Sequence, residues 1–162
     1  MSMNEEQIYS GSCACGNVIF NVNGELSGIT YCHCTQCQKA SGHYVASTSA
    51  NIADFELLSD SSLRWYQSSK NAKRGFCSNC GSNLFWKLSV EDEIGIWPGS
   101  LDNSPKLKSI EHIFCSSIPS HYEIKDDLFK KFPESTIQRQ SKKYLDLSKE
   151  IEKFCIEKNI DF

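Results

Sequence analysis

This 162-residue sequence predicts a mainly β domain followed by a C-terminal amphipathic helix. Three observations carry that expectation. Residues 18–97 run in short stretches rich in β-branched and aromatic side chains, separated by turn clusters such as Ser59-Asp60-Ser61-Ser62 and Ser68-Ser69-Lys70-Asn71. The first of these stretches sets Val18, Phe20 and Val22 at period two, the alternation of a half-buried strand. Past Pro133 the pattern changes. Residues 134–158 hold no Gly or Pro, and Ile137, Tyr144, Leu147, Ile151 and Phe154 fall on one helical face.

In chain order, Gly11-Ser12-Cys13-Ala14-Cys15-Gly16 forms a knuckle that leads into the first strand. Gly24 and Gly28 punctuate a turn, and Ile29-Thr30-Tyr31 runs straight into Cys32-His33-Cys34-Thr35-Gln36-Cys37. Residues 38–42 make a short helical turn that Gly42 stops. Further strands are expected at 43–50, 55–58, 63–67, 75–76, 84–88 and 93–97. A last strand at 110–118 follows Gly99-Ser100-Leu101-Asp102. The chain divides into a domain at 9–133 and a helical extension at 134–162. The extension has two accounts: it packs back on its own domain, or it forms a partner or homo-oligomer helix. A single stripe of this width is the ordinary surface-helix pattern, which favours the first.

Composition narrows the class. Hydrophobic residues at 40% and charged residues at 23% support a packed core. No apolar run reaches bilayer length, so no membrane partner is expected. The first ten residues carry Glu5 and Glu6 and no apolar h-region, which points to the cytoplasm. In that compartment nine cysteines read as metal ligands or catalytic groups rather than a disulfide framework. A formal charge of −3 without a basic run disfavours nucleic acid.

Seven of the nine cysteines fall in CxC, CxCxxC or CxxC arrangements. Cys115 and Cys155 stand alone and read as small buried hydrophobes. Cys15 and Cys80 are each followed by glycine, which tolerates the positive φ of a tight knuckle; Cys37 is followed by Gln38. Cys13, Cys15, Cys77 and Cys80 therefore look like two matched knuckles closing one tetrahedron, a structural zinc site. Cys32, Cys34 and Cys37 are left as a set of three. Cys115 or a histidine can supply a fourth ligand. His33 is poorly placed, because in an extended CxC the middle residue points away; His43 can curl back. Without a fourth ligand the site is of the open, catalytic kind.

Three thiolates around zinc leave one net negative charge, a weaker Lewis acid than a three-histidine site. Such a centre suits another soft ligand better than hydroxide. A thiol such as glutathione, with a free pKa of about 8.5, is mostly protonated at neutral pH and loses its proton on coordination. That chemistry suits joining a thiol to a small carbonyl compound, or the reverse cleavage of a carbon–sulfur bond.

The residues also resemble a known family. The two knuckles, the central six residues with Ala40-Ser41-Gly42, Phe76 before the second knuckle with Leu84-Phe85 after it, Gly99-Ser100-Leu101-Asp102, His112-Ile113-Phe114 and Asp126-Asp127-Leu128 appear in the order of the glutathione-dependent formaldehyde-activating enzymes. That domain is shared with centromere protein V. The resemblance spans roughly residues 9–133. It implies a β fold of the Mss4-like type with two zinc ions, and carbon–sulfur lyase chemistry on the adduct of glutathione and formaldehyde. It also implies a structural zinc on Cys13, Cys15, Cys77 and Cys80 and a catalytic one on Cys32, Cys34 and Cys37. The competing function is a non-catalytic zinc scaffold, or a thiol-binding carrier, that docks a protein partner. Lys70, Lys73 and Arg74 read as a solvated turn, with docking of glutathione carboxylates as the alternative. Asp102 and His112 read as structural.

Overall fold

The structure is a computed structural model that describes residues 7–103 and 105–130. The helix expected at 134–158 lies outside the described residues. The protein is mainly β. Its strands are β1 (Tyr9–Ser12), β2 (Ile19–Val22), β3 (Ile29–Cys32), β4 (Val45–Asn51), β5 (Phe55–Ser59), β6 (Leu63–Gln67), β7 (Ala72–Cys77), β8 (Asn83–Leu88), β9 (Glu93–Ile96), β10 (Ser109–Ile113) and β11 (Phe129–Lys130). One α-helix, α1 (Thr35–Ser41), lies between β3 and β4.

The strands form two sheets. One has the order β1-β2-β5 and is antiparallel throughout. The other has the order β11-β10-β3-β4-β9-β8-β7-β6. In it β10 runs parallel to both β3 and β11, and the remaining pairs are antiparallel. The core joins the two sheets. Val18, Phe20 and Val22 from the β2 region are fully buried, as the period-two pattern requires, and meet Leu84, Phe85, Ile94 and Ile96 from β8 and β9. Phe20 stands edge-on to Phe85 at 5.1 Å, the ring geometry favoured by opposed quadrupoles. Gly11 is glycine because of this contact: a Cβ there would lie 2.3 Å from the Phe20 ring.

Most strand positions agree with the sequence pattern, and the differences have physical causes. β7 is six residues long rather than two and takes in Lys73 and Arg74, which a solvated turn was expected to hold. The alternation of a strand separates these two cations. Lys73 is exposed, with Nζ 4.8 Å over the Trp65 ring, whereas Arg74 is buried with only 5% of its surface accessible. The last expected strand ends early, at Ile113, because Phe114 adopts a left-handed conformation (φ 56) and the chain turns at Cys115–Ser117. No helix among the described residues is long and apolar enough to cross a membrane.

Candidate metal centres

Two strand ends and two glycine turns build the first cysteine cluster. Cys13 follows β1 directly and Cys77 ends β7. After each, the chain makes the same tight turn: Gly16 N–H donates to Cys13 O at 3.0 Å and Gly81 N–H to Cys77 O at 2.8 Å. Both glycines hold positive φ, 77° and 76°, which a residue with a Cβ adopts only with strain. Ser82 Oγ clips the two turns together by accepting from Ala14 N–H at 3.1 Å.

The four sulfur atoms of Cys13, Cys15, Cys77 and Cys80 lie within 4.8 Å of one another. Cys13 Sγ is 3.5 Å from Cys15 Sγ, which is 3.7 Å from Cys77 Sγ. A zinc tetrahedron with bonds of about 2.3 Å has sulfur–sulfur edges of about 3.8 Å, so the sulfur spacing fits this ion. Val18 N–H donates to Cys13 Sγ at 3.3 Å, the kind of contact that favours a thiolate. Cys13 and Cys77 are buried, and Cys15 and Cys80 face outward.

The second cluster sits where β3 gives way to α1. Cys32 closes the strand, Cys34 is the residue that caps the helix, and Cys37 lies in its first turn. Cys34 Sγ accepts from Cys37 N–H at 3.4 Å, a capping role usually filled by an oxygen. Gly42 ends the helix in a left-handed conformation, as its sequence position predicts. The three sulfur atoms lie within 4.8 Å of one another, and no fourth Cys, His, Asp or Glu among the described residues joins them. Cys115 is buried but is not part of this group. The donor set is soft and three-membered, so it fits zinc as well.

Among these three thiols the first negative charge settles on Cys37. Hydrogen bonds from Cys32 and Cys34, then the Arg74 guanidinium, pull its pKa down to about 3 against the effect of burial. Cys32 is held well above the usual thiol range by its hydrogen bonds to Cys34 and Cys37 and by burial. Arg74 reaches the cluster from β7 and donates from one Nη to Cys37 Sγ at 3.5 Å. This corrects the solvated-turn reading of Arg74. Its sequence neighbours gave no sign of this role, since its partner is 37 residues away.

His33 is fully buried between the cysteines and does not turn toward them. Its Nδ1 lies 2.8 Å from the Tyr122 hydroxyl, and its Nε2 lies 2.8 Å from Nδ1 of His112. His112, 2% exposed, has its Nε2 at 3.0 and 3.2 Å from the Asp126 carboxylate oxygens. Asp126 stays ionised: burial opposes its charge, but the Leu128 N–H, the His112 ring and Lys130 hold its pKa below the usual carboxylate range. An ionised carboxylate only accepts, so with both imidazoles neutral the donors run in one sense. His112 Nε2–H donates to Asp126, His33 Nε2–H donates to His112 Nδ1, and the Tyr122 O–H donates to His33 Nδ1. Burial, then the charges of His112 and His43, lowers the His33 pKa to about 4, so the ring is neutral at neutral pH. Gln38 locks the same corner, donating from Nε2 to His33 O at 2.6 Å and to Ser117 O at 2.8 Å.

The structural reading of His112 agrees with its burial, though its partners are side chains rather than backbone. Asp102 is exposed in a turn and lies outside both clusters. The His43 ring lies 4.2 Å from that of Tyr44, tilted by 38°, and is not drawn into the three-cysteine group. Sequence reasoning did not place Gln38 or Tyr122 at this site; it held Asp126 only as part of a family motif and Arg74 as a solvated turn or a dock for glutathione carboxylates. Gln38, directly after Cys37, had a cue in its position; Tyr122 had none.

Comparison with known proteins gives a family and a fold. The family model described as glutathione-dependent formaldehyde-activating enzyme matches residues 8–117. No curated protein sequence matches the chain. Among solved structures, a crystal structure of a Rhodobacter sphaeroides protein is similar, with 25% identity and a TM-score of 0.51. The match covers 60% of this chain and 91% of that one.

Proposed function

This chain belongs to the glutathione-dependent formaldehyde-activating enzyme family, and on that premise we propose that it is a carbon–sulfur lyase acting on a thiol–aldehyde adduct. Glutathione is the leading thiol and formaldehyde the leading carbonyl compound. In the forward sense the thiol sulfur forms a bond to the carbonyl carbon, the C=O π pair becomes the alkoxide lone pair, and the thiol proton ends on that oxygen. The lyase direction breaks the same carbon–sulfur bond.

One observation supports this reading most. Cys32, Cys34 and Cys37 bring three sulfur atoms together, and His33, which lies between them in sequence, has both ring nitrogens engaged elsewhere. A zinc ion held by Cys32, Cys34 and Cys37 would supply a free coordination position that takes a thiol as its thiolate. A second zinc on Cys13, Cys15, Cys77 and Cys80 has a holding role. The protein residues around the first site orient the reaction. Tyr122 is fixed by the chain from Asp126, with its proton aimed at His33 Nδ1. Its phenol oxygen is therefore left as an acceptor, available to the hydroxyl of a hydroxymethyl adduct. Burial, then the neighbouring Tyr44, holds the Tyr122 phenol above its ordinary pKa, so it keeps its proton at neutral pH. A reducing compartment such as the cytoplasm suits the free thiols of both clusters.

The test measures glutathione binding and turnover of the formaldehyde adduct in wild type and in Cys37→Ser. Loss of both in a folded Cys37→Ser protein that retains one zinc supports the reading. Undiminished turnover in that variant rules it out. Binding without turnover in wild type makes the protein a thiol carrier.

A further inference from the structure

Arg74 is a buried cation with an unusual partner. It lies on β7, opposite Tyr66 on β6 and Trp86 on β8, and residues in register share a face of the sheet. Burying a guanidinium without a counter-charge costs several kcal/mol, so a buried arginine is normally paired with a carboxylate. No carboxylate of the described residues forms an ion pair with Arg74. Its hydrogen-bond partner is Cys37 Sγ, at 3.5 Å. The counter-charge of this cation is therefore the sulfur cluster itself.

The charges then balance at one particular occupancy. Three thiolates and a divalent cation leave one negative charge, which Arg74 cancels. A fourth, incoming thiolate restores a single negative charge, where without Arg74 it would leave two in a buried place. We propose that Arg74 is the positioning residue that lets the Cys32–Cys34–Cys37 centre hold its metal and accept an anionic sulfur as the further ligand. It acts through Cys37 and not by touching the substrate. Among the described residues the four-cysteine cluster shows no such cation: its polar contacts are backbone N–H groups, that of Val18 among them, and the Ser82 hydroxyl, and two of its sulfurs face outward. A cluster that takes no further anion needs no buried counter-charge. This inference rests on the proposed thiol-binding role of the three-cysteine site.

The experiment uses full-length protein loaded with cobalt(II), with glutathione as the probe and the variants Arg74→Lys, Arg74→Gln and Arg74→Met. One readout is the chelator concentration that strips the more labile metal equivalent. The other is the glutathione-dependent change in the visible spectrum. Partners of metal ligands typically contribute about 10–100-fold to affinity. The Gln and Met variants should therefore lose about that much in both readouts, while Lys keeps most of it and the tighter metal equivalent is unchanged in all. Equal behaviour of Lys and Gln would overturn the charge assignment. Wild-type affinity in Met would do the same. If the neutral variants do not fold, the Lys protein decides: retention of the labile metal within about tenfold of wild type supports the assignment, and its loss refutes it. If wild type shows no response to glutathione, the thiol-binding role is lost, and the metal-retention series alone still decides whether Arg74 is the counter-charge of the centre.

Discussion

The two cysteine clusters use the same atom in different surroundings. In the four-cysteine cluster, two knuckles with matching glycine turns converge from β1 and β7, and the donors around them are backbone N–H groups and a serine. In the three-cysteine cluster, a strand end and a helix start supply the sulfurs. A buried arginine, two buried histidines, a tyrosine and a glutamine surround them. The first cluster joins the small sheet to the large one, so its loss separates parts of the fold. The second is confined to one strand–helix junction whose backbone bonds are already made, so its loss should leave the fold standing. A cluster that holds a fold together needs closure. On the proposed function the second does chemistry, which needs an opening and a tuned charge.

The largest expected difference follows directly. Zinc binding stabilises small zinc-finger peptides by about 10–16 kcal/mol, whereas a whole domain is stable by about 5–15 kcal/mol. Cys77→Ser should therefore unfold the protein or yield it insoluble, and Cys34→Ser should give a folded protein with less metal. Equal damage in thermal melts would erase the distinction between the clusters.

The next effect is in metal content. Elemental analysis should find two zinc ions per chain, and a chelator titration should remove them in two steps, the three-cysteine equivalent first. One equivalent or fewer after purification without chelator would break the two-site reading.

A smaller effect concerns the histidine pair. His112→Ala leaves His33 Nε2 without its buried partner, at a cost of about 1–3 kcal/mol in a denaturant midpoint. The same change removes the partner that fixes the His33 tautomer and so loosens the aim of the Tyr122 hydroxyl, and the KM for the adduct should rise. A loss of stability with unchanged kinetics would assign the chain a packing role only. At its far end, Asp126 has a pKa lowered on folding, so its contribution is present above the ordinary carboxylate pKa of about 3.9 and fades as pH falls through the lowered value. The stability gap between wild type and Asp126→Asn should thus be full at neutral pH and close in acid. A gap that persists at low pH would mean that the charge of Asp126 is not its contribution.

The smallest effect should come from the tail. Cutting the chain after Glu134 should leave a folded, zinc-loaded β domain with little change in melting temperature. An insoluble product would mean that residues 135–162 cover core surface, and a change from dimer to monomer would give them a partner role.

The sequence by itself determined both cysteine clusters and the β class. Those signals are local: a CxC or CxxC spacing already brings two sulfurs within reach of one ion, glycine after a knuckle announces its positive φ, and period two announces a half-buried strand. Tertiary structure alone decided what surrounds the second cluster. His33 meets His112 across 79 residues because β10 runs parallel to β3, which sets His112 beside Tyr31. Arg74 meets Cys37 because β7 lies in the interior of the large sheet with Arg74 on its buried face, where its neighbours Lys70 and Lys73 had suggested a solvated turn. Chain spacing records only neighbours within a few residues, whereas strand order and register bring distant ones together. The cysteines of this site were therefore legible in the sequence, and the charges and hydrogen bonds around them were not.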